Sequence, residues 1–324
     1  MMKVLLIEQN ITKSSPLITL ADGIKSEGAE VIFADLSKIS TAELIKLYLT
    51  VNLVVIQLYG QLGDYEKRQL AIGAILGVKI TRNWAGTDSL NVISIPSIRS
   101  TALSVNKILS ENITTTHQGI VDELDSVGIQ CSLLPQLTDF NLDLGQNEKT
   151  LTKNNVLVYL PSSKRKFYGA DFIEKLIIKF PKVTFTIVAD VDHVFSNYNN
   201  VNSMGWVNKT EMLSVWDKIG MLIRVTEHDG YPRMILEALG RGKYVIHNNP
   251  NIEGVWFADN QEAIETCLNR YIQQHQINEE GMAIFNRLKH KKPNFVYLSF
   301  LTKISLPIKV WVNALLYVLK IKKL

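Results

Sequence analysis

Cysteine is scarce in this chain: Cys131 and Cys267 are the only two in 324 residues. They lie far apart, so there is no disulfide framework and no metal-ligand spacing, and such usage suits a reducing compartment. Charge of one sign is scarce as well. Thirty-five basic against 31 acidic side chains leave a formal +4, too little to argue for a nucleic-acid partner. The opening "MMKVLLIEQN" has an apolar run much shorter than a signal-peptide core, with an acid directly behind it. These absences predict a cytoplasmic chain. Apolar residues at 46% are ample for packed cores, and the length exceeds what one core usually serves, so two domains are expected.

What is present is a repeated rhythm. "KVLLI" (3–7), "AEVIFA" (29–34), "NLVVIQL" (52–58) and "VKIT" (78–81) are short apolar, β-branched runs. Between them, 16–28, 41–49 and 64–77 carry helical spacing, two of them ending in glycine. Apolar strands alternating with amphipathic helices specify βαβ units and a parallel sheet covered on both faces. The pattern runs on weakly through 112–135, where His117 opens a helix and is a candidate to cap it. The polar, aperiodic stretch 143–155 reads as a linker. The rhythm then restarts with strands at 156–161, 182–190 and 219–225, a break at 203–207, and helices at 169–180 and 209–218. The prediction is two doubly wound α/β domains, 1–145 and 154–292, followed by a tail, 293–324. Such sheets bind ligands outside the carboxyl ends of their strands, and two of them place the expected site in a cleft.

The chemistry concentrates in "EHDGYPRMILEALGRGKYVI" (227–246). A strand ends near Val225, because "TEHDGYP" is turn chemistry. Pro232 suits the first turn of a helix that runs to about Leu239 and stops at "GRG", with "KYVIH" (243–247) as the next strand. The N-terminus of that helix offers unpaired N–H groups to an anion such as a diphosphate. Glu237 sits among Ile235, Leu236, Ala238 and Leu239, where a carboxylate can take two hydrogen bonds from a vicinal diol of a ribose or a hexose.

This stretch resembles the E-x7-E motif, E-G-x-G-x-x-x-x-E-A-x-A-x-G-x-P-V-I, of GT-B fold retaining glycosyltransferases of the family 4 type (glycosyl transferases group 1). Asp229 falls on the first acid, Gly230 on the glycine, Glu237 on the second acid, Ala238 on its alanine and Gly242 on the late glycine. Asp replaces the first Glu, Pro232 the second glycine and Tyr244 the proline. The resemblance implies a GT-B fold of two Rossmann-like domains. Its activity would be transfer of a hexose from a UDP- or GDP-linked donor to a glycan or lipid-linked acceptor in cell-surface polysaccharide assembly. It implies that Glu237 holds the ribose and Asp229 the sugar. His228 is a further donor-contact candidate, with a solvent-exposed loop histidine as its plainer reading, and Gly230, Tyr231, Pro232 and Arg233 would form the helix start that meets the diphosphate. "VLVYLPSSKRKFYGADF" stands where the family has its basic diphosphate loop; Gly169 matches, Tyr168 replaces a lysine, and Arg165 and Lys166 become the donor-binding candidates. "RNWAGTDSL" (82–90) resembles a W-x-G-T-D loop, so Trp84, Thr87 and Asp88 are candidates for the acceptor side. No cofactor and no obligatory metal are expected. The same fold also hosts epimerases and degenerate subunits that bind nucleotide without turnover, and these are the alternatives.

Each residue has a plainer reading. Glu237 can be an ordinary helix glutamate, Asp229 a turn residue, and the basic loop a solvated one. Arg224, taken here with Asp229 and Glu237 as catalytic, either faces an anion or pairs with Asp229 or Glu227. Trp84 can be core. The tail lacks any acid over residues 294–324, and Lys303, Pro307, Lys309 and Asn313 interrupt its apolar run, so it is too broken to span a bilayer. Lys309, Asn313, Lys320 and Lys323 fall on one stripe of a helix at 308–323. That suits residues 295–324 lying on an anionic membrane face, at the inner side of the cell membrane. The alternative is a helix packed on the domains.

Overall fold

The computed structural model describes residues 2–9, 16–26, 28–58, 60–134, 144, 151–289 and 308–319. The chain divides into two compact units, 1–140 with 291–324, and 141–290. Of the predicted linker, 143 and 145–150 lie outside the described residues, as does most of the predicted tail.

The first unit alternates β1 (Lys3–Glu8), α1 (Pro16–Ser26), β2 (Glu30–Asp35), α2 (Thr41–Tyr48), β3 (Leu53–Gln57), α3 (Asp64–Ile75) and β4 (Ile80–Trp84). It continues with α4 (Thr87–Ser94), α5 (Pro96–Asn106), β5 (Glu111–Thr114), α6 (Gln118–Asp125) and β6 (Ser132–Leu133). The sheet order is β2-β1-β3-β4-β5-β6, parallel throughout. Alternate strand residues feed opposite faces, as the two-residue period requires. Leu5, Ile7, Val54 and Ile56 join one core and Val4, Leu6, Leu53 and Val55 another. His117 occupies the N-cap of α6, but its side chain makes no capping hydrogen bond.

The second unit contains β7 (Asn155–Tyr159), α7 (Ala170–Lys179), β8 (Thr184–Val188), β9 (Val201–Gly205), α8 (Lys209–Trp216) and β10 (Met221–Arg224). Then come α9 (Arg233–Gly240), β11 (Tyr244–His247), β12 (Trp256–Phe257), α10 (Gln261–Ile272) and α11 (Glu279–Lys289). Its sheet, order β12-β11-β10-β7-β8-β9, is again all parallel. The predicted break at 203–207 is in fact the end of β9, an edge strand that pairs on one side only. Strand order reverses between β7 and β10, so loops leaving these two strands diverge to opposite faces and open a crevice at their carboxyl ends.

Helix α12 (Ile308–Val318) closes the described chain. It belongs to the first unit, against α3 and α5. Asn313, which the sequence placed on a polar outward stripe, is buried and donates to Lys107 O (3.2 Å). A buried amide needs a partner, and the free carbonyl at the end of α5 supplies one.

Candidate active site

Strand β10 ends at Arg224 because the backbone that follows is turned and clamped. Asn248, just past β11, takes the N–H of Thr226 (3.1 Å) and donates to its C=O (2.7 Å). The Thr226 hydroxyl donates to His228 O (2.9 Å). Asp229 and Gly230 complete the turn, and Pro232 stands at the N-cap of α9 with φ −66°. Four buried residues, Ile235, Leu236, Ala238 and Leu239, anchor the helix. Each of the three larger ones stabilises it by roughly 1.5–3 kcal/mol. Glu237 is the polar interruption of that face.

Arg224 is buried, and its Nε donates to Asp229 Oδ2 at 2.7 Å. Of the readings left open for Arg224, the structure shows the pair with Asp229. The guanidinium also lies over the rings of Tyr159 (5.1 Å) and Tyr168 (5.2 Å). Burial works to lower its pKa, but the Asp229 carboxylate and the hydrogen bond to it prevail and hold it above the usual arginine value. Asn249 N–H donates to His247 Nδ1 (2.9 Å), which puts the neutral ring's proton on Nε2, 3.9 Å from Asp229 Oδ2.

The β7–α7 loop is drawn to the same place. Glu227 N–H donates to Phe167 O (2.9 Å). Gly169 has φ +71°, and a Cβ there would stand 3.0 Å from Val225 O. A side chain at 169 would push the two loops apart. Within this loop Lys166 is exposed. Arg165 is otherwise engaged: its Nε and Nη2 reach Asp190 Oδ1 (3.0 and 2.7 Å), and Nη2 also meets Asp192. An anion would have to compete with two carboxylates for that guanidinium. No Asp-x-Asp motif was expected from the sequence, yet Asp190-Val191-Asp192 has that spacing; here both acids are turned onto Arg165.

Glu237 opens into a cavity of about 300 Å³ between α8 and α9, lined also by Asn208, Lys209, Met212, Trp216, Arg233 and Arg241. Asn208 caps α8 by accepting from Thr210 and Glu211 N–H. Arg241 lies over the Trp216 ring at 5.9 Å. Arg233 Nε donates to Glu237 Oε1 at 3.1 Å, one helical turn away. Trp216, Arg241, Tyr159 and Asn248 were not singled out by sequence reasoning, since only the sheet brings them to the motif.

On the first unit two candidates need correction. Trp84 is not in a loop: it ends β4, has no accessible surface, and packs with Val92, Ile120 and Leu124 while Nε1 donates to Asn112 (3.1 Å). Asp88 is equally buried, its Oδ1 accepting from the N–H groups of Ala85, Gly86 and Ser89 (2.9, 2.9 and 3.1 Å). Neither can touch an acceptor as it stands. Thr87, exposed at the start of α4, can.

No family model matches the chain, and no curated protein sequence does either. Its structure is similar to that of a sucrose-phosphate synthase from Thermosynechococcus elongatus, with a TM-score of 0.59 and 10% identity over 93% of this chain and 97% of that one. TarM aligns with a TM-score of 0.57 and 10% identity over 82% of this chain and 57% of that one. The glycosyltransferase SnogD from Streptomyces nogalater aligns at 0.50 with 14% identity, covering 93% and 99%. At such identities the likeness speaks for the fold, and the fold is GT-B: two Rossmann-like domains, each a six-stranded parallel sheet flanked by helices.

Proposed function

We propose that this chain is a retaining glycosyltransferase. It would move a hexose from a UDP- or GDP-linked donor to a glycan or lipid-linked acceptor in cell-surface polysaccharide assembly. It would work in the cytoplasm, on the inner face of the cell membrane. One observation carries the reading: a single short helix has a sheltered Arg224–Asp229 pair just before its N-terminus and Glu237 opening into a cavity of about 300 Å³. In this proposal Glu237 takes the two ribose hydroxyls. The diphosphate meets the N–H groups between Gly230 and Arg233, with Lys166 and Arg224 adding positive charge. Asp229, its orientation fixed by Arg224, receives a hydroxyl of the sugar. As the donor bond breaks, charge grows on the leaving diphosphate, and groups already aimed at it lower the barrier. Thr87 serves the acceptor side, with Trp84 and Asp88 supporting it from behind. No cofactor and no obligatory metal enter this scheme.

A specific observation favours a second reading, a degenerate subunit that binds nucleotide without turnover. Arg165, Asp229 and Glu237 are each already paired within the protein. Calorimetry with UDP and GDP, followed by assay of diphosphate release from a panel of their sugars, separates the two. Binding with release and an axial product from an axial donor is expected. Binding without release for every sugar tested would favour the degenerate subunit, and no binding of either nucleotide would overturn both readings.

A further inference from the structure

Helix α12 has two faces with different fates. Val310, Asn313 and Ala314 are buried. The Tyr317 hydroxyl meets that of Ser104, and Trp311 Nε1 donates to Ile75 O at 3.2 Å. That seam fastens the helix to α3 and α5. Away from it, at helical spacing, stand Ile308, 81% exposed, Val312, 40%, and Leu319, 55%. Trp311 at 44% and Leu76 at 42% widen the strip, since Leu76 follows the residue that Trp311 bonds. Single exposed apolar side chains are ordinary on a protein surface, whereas a contiguous strip marks a contact face.

Helix α5 carries a shallow groove of about 400 Å³, lined by Arg99, Ser100, Leu103, Ser104 and Lys107. Ser104 and Lys107 also hold α12 through Tyr317 and Asn313, so the groove flanks that helix. Arg99 is fixed in place, its Nε donating to Val92 O (3.0 Å) and Nη2 to Ile93 O. Two cations, two hydroxyls and an apolar rim match a phosphate ester attached to hydrocarbon.

Charge selects the occupant. Residues 291–324 contain seven lysines and no acid, and exposed Lys309 sits on α12 itself. A second copy would bring the same sign of charge and repel. An anionic bilayer supplies both an apolar layer and negative charge. Among the described residues no helix is long and apolar enough to cross a membrane, so a flat contact is the geometry left to α12.

We propose that Ile308, Val312, Leu319, Trp311 and Leu76 seat in the interfacial layer of an anionic bilayer, and that the Arg99–Lys107 groove receives a phospholipid phosphate. This rests on the membrane-surface part of the function proposed above and gives it a face and a lipid class. The test uses the full chain with vesicles of phosphatidylcholine alone or with phosphatidylglycerol added, read by co-sedimentation and tryptophan emission. Partition into the anionic vesicles should be at least about tenfold stronger, with a blue-shifted emission. Ile308→Ser with Val312→Ser should lower partition by at least about tenfold with melting temperature and UDP or GDP affinity unchanged. Lys107→Glu should reduce the preference for the anionic vesicles and leave partition to phosphatidylcholine alone. Equal partition into the two vesicle types, or wild-type partition by both variants, overturns the proposal. So does a wild-type dimer that the serine variant makes monomeric with partition unaltered. Loss of nucleotide binding in the wild type would instead overturn the glycosyltransferase reading, and vesicle binding would stand.

Discussion

The two units solve one local problem twice. In each, an arginine of a parallel strand stands close to an acid that follows it: Arg82, two residues before the end of β4, with Asp88 in the first turn of α4, and Arg224, at the end of β10, with Asp229 in the turn before α9. Both guanidiniums rest on aromatic rings, Arg82 at 3.4 Å over Trp84 and Arg224 between two tyrosines. The outcomes differ. Arg82 donates to Leu58 O (3.0 Å) but leaves Nε without a partner, and burial lowers its pKa to about 10. Arg224 bonds Asp229 directly, and the Asp229 side chain keeps 17% of its surface accessible. The first pair is sealed into a core and works for the fold, while the second sits at a sheet crevice where a ligand can reach it. An arginine and an acid at a strand end do not make a site. Access does.

The strongest way to break this contrast is Asp88→Ala. It strips three backbone N–H groups of their acceptor and leaves Arg82 as a buried charge without its nearby acid. Uncompensated burial of that kind costs roughly 3–5 kcal/mol. Urea denaturation should show that loss, with nucleotide affinity of the surviving folded protein unchanged. A stable Asp88→Ala protein with weakened acceptor use would return Asp88 to the site.

Next come the second unit's own acids and bases. Arg224→Ala and Glu237→Ala should each weaken UDP or GDP binding by about 1.5–3 kcal/mol, the range for a hydrogen bond to a charged group. Glu237→Gln should lose less. Calorimetry on folded variants decides; unchanged affinity in Glu237→Ala would remove it from the donor site.

These contrasts also mark how far the sequence could be read. Strand and helix alternation was legible because most buried strands of the rhythm are built on apolar runs, such as 4–7 and 53–56. It stopped short at Thr81, since Arg82, Asn83 and Trp84 look like a turn. Their polarity is hidden by partners across the sheet, such as Asn83 Nδ2 with Gln57 Oε1 at 3.4 Å. Strand β9, "VNSMG", was read as a break because an edge strand tolerates polar residues. The turn that carries Asp229 and the short helix that carries Glu237 were legible from local sequence. The pairs around them were not: Trp216 and Arg241, which share the Glu237 cavity, are 25 positions apart, and so are Arg165 and Asp190 in the neighbouring loop. Local patterns say nothing about pairs that only a folded sheet assembles.

The two units should also differ in the sign of an acid response. Burial raises the pKa of Asp88, and Arg82 and the three backbone N–H groups only partly offset it. For Asp190 burial pushes upward too, but the Arg165 hydrogen bonds, Val194 N–H and Ser162 outweigh it, and the pKa is lowered. A lowered carboxylate stabilises the fold above its unfolded value, about 3.9, and that contribution disappears as pH falls through the folded value. A raised one does the reverse, gaining stability as pH falls. Unfolding free energy of wild type minus Asp190→Asn should therefore shrink below about pH 4, while wild type minus Asp88→Asn should grow with acidification. Parallel trends for the two would break the distinction between a carboxylate dominated by burial and one held by a direct arginine hydrogen bond.

The smallest expected effect sharpens the assignment of Glu237. Arg233 pairs with it one turn away, but the arginine side chain is 55% exposed. An exposed pair of this kind contributes only about 0.3–0.5 kcal/mol, so Arg233→Ala should leave the urea midpoint nearly in place. Its effect on binding separates two roles. If the carboxylate receives the ribose, it must turn at least one oxygen from Arg233 toward the diol, and losing the arginine removes a weak competitor along with a weak attraction for the diphosphate. These oppose each other, and the net change in UDP or GDP affinity should stay within about threefold, since each term is an exposed-charge effect of under 1 kcal/mol. The change should shrink further in high salt. Glu237→Ala in the same buffer should lose about tenfold or more. A tenfold loss in Arg233→Ala together with near-normal binding in Glu237→Ala would move the donor contact from the acid to the arginine, and Glu237 would then be the residue that merely holds it.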